Sequence, residues 1–68
     1  MRQPSTALTP REREVLRCLA QGWSNKRIAA SLGITEGTVK THLHHIATRL
    51  GLKGRRALAL YAQEQRLV

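Results

Sequence analysis

The run "SNKRIAASLGITEGTVKTHL", residues 24–43, constrains the fold more than any other part of the chain. Ser24 and Thr35 are of the type that caps helix starts, and Glu36 suits the first turn of the second segment. Gly33 lies between the two segments as a breaker. Three separate physical needs are met in register: a small residue at Ala29 lets two helices cross closely, Gly33 permits positive φ in a tight turn, and Val39 closes the wedge from the second helix. Gly33 alone would be an ordinary helix end; the combination specifies two short helices laid across one another.

This is the spacing of a helix-turn-helix, and the flanking sequence supplies its support. In "LTPREREVLRCLAQG", Thr9 is placed to cap, Pro10 takes the first helical position, and Glu12 stands three residues after the cap, which makes a capping box. A first helix over about Pro10 to Gln21 is expected, with Val15, Leu16 and Leu19 as its apolar stripe, Cys18 at the stripe's edge and Gly22 as its left-handed terminator. A fourth helix, about Arg55 to Arg66, contains "ALALYA". Leu58, Ala59 and Ala62 are expected to cover helix 1, leaving Ala57, Leu60, Tyr61 and Glu64 as an outer stripe without an intramolecular partner. No stretch alternates with period two over a strand's length, so the fold expected is all-α, a four-helix bundle. "MRQPSTA", residues 1–7, has no periodicity and reads as a linker or disordered N-terminus ahead of one domain over 8–68.

A chain of 68 residues has room for one small core, and the single Cys18 excludes an internal disulfide staple. No signal peptide or apolar run of spanning length is present, which gives a soluble, cytoplasmic expectation. Twelve Lys and Arg against four Asp and Glu give a formal net charge of +8. From Ser24 to Arg56 the bases are Lys26, Arg27, Lys40, Arg49, Lys53, Arg55 and Arg56, against Glu36 as the only acid. Such a field attracts polyanions, although a basic surface can also serve solubility alone. A membrane surface fits less well, because no segment pairs a basic face with large exposed aromatics.

The third helix carries the chemistry. In "TEGTVKTHLHHIATRLG", residues 35–51, Val39, Leu43, Ile46 and Leu50 project to one side with His42 at its margin, whereas Gly37, Thr41, His44 and Thr48 project to the other, flanked by Lys40 and His45. Solvent alone gives no reason to prefer a glycine, threonines and a histidine over better helix formers. A DNA major groove does: short side chains allow close approach, Thr meets thymine methyls or base edges, and Lys reaches guanine O6 and N7. Free N–H groups at the starts of helices 2 and 3, with Ser24, Asn25, Lys26, Thr35 and Thr38 beside them, suit backbone phosphates. Lys53, Arg55 and Arg56 form a second basic cluster of the same use, each one also readable as plain solvated charge.

"LTPREREVLRCLAQG", "SNKRIAASLGITEGTVKTHL" and "RLGLKGRRALALYA" together resemble the LuxR-type helix-turn-helix domain, and more narrowly its NarL/FixJ group, from Leu8 to about Leu67. The resemblance implies a four-helix DNA-binding bundle that usually forms the C-terminal output part of a longer transcription regulator, with a receiver or ligand-sensing domain upstream. It implies that Lys40, Thr41 and His44 point at base edges, with Gly37 where longer side chains of relatives also reach the groove. It further implies a homodimer through helix 4 on an inverted-repeat site. Gly37, Thr41 and His44 differ from the Lys or Asn of many relatives, so no operator preference carries over. Ala47 stands where a larger residue is usual and is expected to thin the core.

Other classes fit less of the sequence. His42, His44 and His45 lie on different helical directions without a thiol or carboxylate in register, so no metal and no cofactor is expected. Cys18 and the scattered acids supply no nucleophile or acid–base pair for an enzyme. Two binding alternatives stay open: a sigma-factor-like promoter-recognition domain, and a helical module that docks a protein such as RNA polymerase.

Overall fold

The computed structural model describes residues 8–65, and within them every regular element is a helix. In chain order these are α1 (Pro10–Ala20), α2 (Asn25–Leu32), α3 (Glu36–Leu50) and α4 (Arg55–Glu64). The expected N-terminal linker, residues 1–7, and the last turn assigned to helix 4 at Arg66 lie outside the described residues.

Each of the first three helices starts where local chemistry places it. The Thr9 Oγ1 accepts from the Glu12 N–H at 3.1 Å while the Glu12 carboxylate accepts from the Thr9 N–H at 3.1 Å, so the capping box is closed in both directions. Ser24 Oγ accepts from Arg27 N–H and Thr35 Oγ1 from Thr38 N–H, both at 3.1 Å. Between α2 and α3 the chain turns at Gly33, with φ 71° and ψ 34°, a left-handed conformation that a Cβ disfavours. Helix α4 differs: Gly54 stands at its cap position and supplies no side-chain bond.

The core is one cluster. Val15, Leu16 and Leu19 of α1, Ile28 and Ala29 of α2, Val39 and Ile46 of α3, and Leu58 and Ala62 of α4 are all buried. Helix α1 packs most extensively on α4 and α2 on α3, with α1 also crossing α3 and meeting α2, so α1 is the element that joins the α2–α3 pair to α4. The Gln63 amide closes the join by donating to the Ala20 carbonyl at 3.3 Å. Leu43 and Leu50, expected on the inner side of α3, are only half-buried at the edge of the cluster.

Two details revise the expected arrangement. Tyr61, expected on an unpartnered outer stripe of α4, is half-buried against the core. Its ring is long enough to fold back along the helix to the cluster's edge. Ala57 is half-buried too, so the exposed part of that stripe is Leu60, 51% exposed, with Glu64. Glu12 is the second: beyond its capping role it is 5% exposed and receives the Arg49 guanidinium as a two-pronged pair, Nη1 at 2.6 Å and Nη2 at 2.9 Å. Arg49 is therefore a strut between α1 and α3 rather than one more base of the outer field.

Candidate nucleic-acid interface

Gly37, Lys40, Thr41, His44 and Thr48 are all exposed on α3, opposite the buried Val39 and Ile46. At about 1.5 Å per residue this helix is roughly 22 Å long, enough to lie along a major groove about 12 Å wide. Lys40 projects freely into solvent. Thr41 is fixed: its hydroxyl donates to the Gly37 carbonyl at 3.0 Å. His44 faces the neighbouring His45 with ring centroids 6.1 Å apart and planes tilted by 52°. Among the described residues no group of three His, Cys, Asp or Glu side chains is arranged to hold a metal ion.

The chain between α3 and α4 completes this face. It borders an open depression of about 480 Å³ lined by His44, Ala47, Thr48, Gly51, Leu52, Lys53 and Gly54. Lys53 is thereby brought beside the outer side of α3. Ala47, half-buried where greater bulk was expected, leaves part of the floor open, so the thinning foreseen at this residue is a surface hollow rather than an interior void.

On its other side the same connection reaches α2. The Arg55 guanidinium donates to Asn25 Oδ1 and to the Trp23 carbonyl, each at 2.6 Å. Arg55, expected among the phosphate contacts, thus holds the entrance of α2 to the start of α4, and two of its nitrogens already have protein acceptors. Its charge still lies at the positive end of α2, beside Lys26, which concentrates positive potential there. Ser24, Thr35 and Thr38 are exposed; the Ser24 and Thr35 hydroxyls are engaged in capping, and the Thr38 hydroxyl is bonded to that of Thr35 at 2.9 Å. Arg56 and Lys26 are exposed.

Some of the geometry had no counterpart in the sequence reading. Trp23 is half-buried and carries Arg27 over its ring, the guanidinium carbon 4.0 Å from the centroid. Only the i, i+4 spacing of the two could have signalled it. The Glu12–Arg49 pair joins residues far apart in sequence and has no local signature at all. Its consequence is electrostatic: the Arg49 hydrogen bonds, opposed by burial and aided by the Thr9 N–H and by the charges of Arg49 and His42, hold the Glu12 carboxyl below its ordinary value of 4.5. Burial pushes the Cys18 thiol up, away from reactive thiolate character.

Two helices crossing at a left-handed glycine, the longer one presenting an exposed face of small and polar side chains framed by cations, define a DNA-binding helix-turn-helix domain. The chain belongs to the luxR family of bacterial regulatory proteins, whose pattern matches residues 6–62. It is 47% identical over 60 residues to the nitrate/nitrite response regulator protein NarL of Escherichia coli, covering 88% of this chain and 28% of that protein. The probable transcriptional regulatory protein SgaR of Hyphomicrobium methylovorum is 47% identical over 64 residues, 93% of this chain and 30% of its own length. The oxygen regulatory protein NreC of Staphylococcus aureus is 42% identical over 65 residues, 96% of this chain and 30% of its own. The chain thus spans under a third of the length of the curated relatives it matches. It is a LuxR-type domain for DNA binding in transcription regulation. None of its helices among the described residues is long and apolar enough to cross a membrane.

Proposed function

We propose that this chain is the C-terminal output domain of a response regulator that binds an inverted-repeat site in double-stranded DNA as a dimer. Lys40, Thr41, His44 and Gly37 face base edges in the major groove. Ser24, Asn25, Lys26, Thr35, Thr38, Lys53 and Arg56 contact the phosphate backbone directly, while Arg55 positions Asn25 and adds charge at the same place. The observation that carries this reading is the exposed outer side of α3, poor in good helix formers, with Lys53 beside it across the depression.

Dimerisation is assigned to α4, where Leu60 stands 51% exposed with Ala57, Tyr61 and Glu64 around it. Isologous pairing there would set two reading helices on half-sites about 34 to 36 Å apart, one turn of the duplex. With Tyr61 turned partly inward the patch is small, so pairing is weak in solution and completed on DNA. In the full-length protein an upstream receiver or sensor domain would control access to α4 and α3, and the bound domain would act on transcription through contact with RNA polymerase.

Selection from a random duplex pool at two salt concentrations tests this. Enrichment of a short inverted repeat that survives the higher salt is the expected result. Binding without a motif that collapses as salt rises would mean that the positive charge is generic and would overturn the assignment.

A further inference from the structure

We propose that Gly37 and Thr41 together form a receptor for the C5 methyl group of one thymine in each half-site. This rests on α3 being the helix that enters the groove.

The starting point is the Thr41 hydroxyl. A threonine hydroxyl has a single proton, and that of Thr41 is given to the Gly37 carbonyl at 3.0 Å. What remains for a partner is the γ-methyl and the oxygen's remaining acceptor capacity. Guanine offers only the acceptors N7 and O6 on its major-groove edge, so Thr41 has nothing to donate to it. Thymine's methyl and the amino groups of adenine and cytosine are left.

Gly37 decides among these. It lies one turn before Thr41 on the same exposed side and has ordinary helical backbone, not the left-handed geometry of the chain's other glycines. A Cβ built there would meet only Thr35 Oγ1, at 3.8 Å, an ordinary contact. The free protein therefore has no need of a glycine at this position, and glycine favours helix less than any residue but proline. The gap it leaves is open and floored by the Gly37 Cα, with the Thr35 hydroxyl oxygen 3.8 Å from where a Cβ would stand and Thr41 one turn further along the same exposed side. A methyl set there needs no hydrogen bond, whereas an amino group would give up water beside a Thr35 oxygen that is already engaged by the Thr38 N–H and hydroxyl.

The test uses the full chain and the duplex recovered by selection, with each thymine replaced in turn by uracil, which removes the methyl alone. At one position in each half-site the replacement weakens binding about four-fold, the equivalent of exposing one methyl. Thr41→Ser, which keeps the hydroxyl and loses the methyl, and Gly37→Ala, which fills the gap, abolish that difference; Thr41→Val keeps it. Thermal melts of all three variants establish that they are folded, and Gly37→Ala melts no lower than the parent. A selected site in which no thymine is sensitive, or sensitivity unchanged in both Thr41→Ser and Gly37→Ala, overturns the methyl assignment while leaving DNA reading in place. Failure of the selection to yield any motif overturns the DNA reading itself.

Discussion

Replacing Glu12 with Gln changes one oxygen for an amide nitrogen at a site where the geometry leaves little room for substitution. The carboxylate is 5% exposed and accepts three hydrogen bonds: Arg49 Nη1 at 2.6 Å, Arg49 Nη2 at 2.9 Å and Thr9 N–H at 3.1 Å. A glutamine keeps one acceptor oxygen, so its amide must face one prong of the guanidinium, donor against donor. A hydrogen bond to a charged group contributes about 1.5 to 3 kcal/mol. Since the Arg49 side chain is 31% exposed and water can rejoin it, the lower part of that range applies, and a loss of about 2 kcal/mol follows. In a domain of this size each kcal/mol moves the melting temperature by about 4 to 8 °C, so Glu12→Gln should melt roughly 8 to 16 °C below the parent at neutral pH. The pH dependence has a fixed sign. The folded protein holds the Glu12 carboxyl below 4.5, so the unfolded chain takes up that proton first as the solution is acidified. The stabilisation is complete above the unfolded value and is lost as pH falls from there through the lower folded value. Circular dichroism melts between pH 7 and 3 should show the parent losing stability across that acid window and the variant losing visibly less. Equal melting temperatures at pH 7, or parallel acid losses, would refute the claim that this pair ties α1 to α3.

Three further outcomes are expected. Ile46→Ala opens a cavity at a completely buried position and should cost about 2 to 5 kcal/mol, a large share of the roughly 3 to 10 kcal/mol available to a chain of this length; a urea titration reads it. Lys40→Ala should weaken binding to the selected duplex by about 1 to 3 kcal/mol and leave the melting temperature within a degree or so, as measured by fluorescence anisotropy beside a thermal scan. Lys53→Ala should weaken specific and nonspecific duplexes alike and lower the slope of log K against log salt by about 1, the signature of one lost phosphate contact.

What could be read from the sequence divides along the range of the forces involved. The caps at Thr9, Ser24 and Thr35 depend on residues within one turn, so spacing alone located the helix starts. Gly33 was legible because left-handed backbone has few alternatives to glycine. Helical projection correctly separated Val39 and Ile46 from Lys40, Thr41 and His44, since each lies near the middle of its side of α3. Projection fails at margins: Leu43 and Leu50 face the core but overhang it, and Tyr61 reaches inward although its Cα points toward the outer stripe. Long-range partners leave no local trace. Glu12 reads as complete in its capping role and Arg49 as surface charge, and the bonds of Arg55 to Trp23 and Asn25 have no local signature, because the partners of both arginines come from segments distant in sequence.

Nitrogen-15 chemical-shift mapping, with the chain titrated against the selected duplex, tests the central claim most directly. The account predicts that the largest changes fall on the amides of Asn25, Lys26, Gly37, Lys40, Thr41, His44 and Lys53, with the outer side of α1 little affected. Changes centred on Arg13 and Arg17 of α1, with Gly37 to His44 undisturbed, would contradict it.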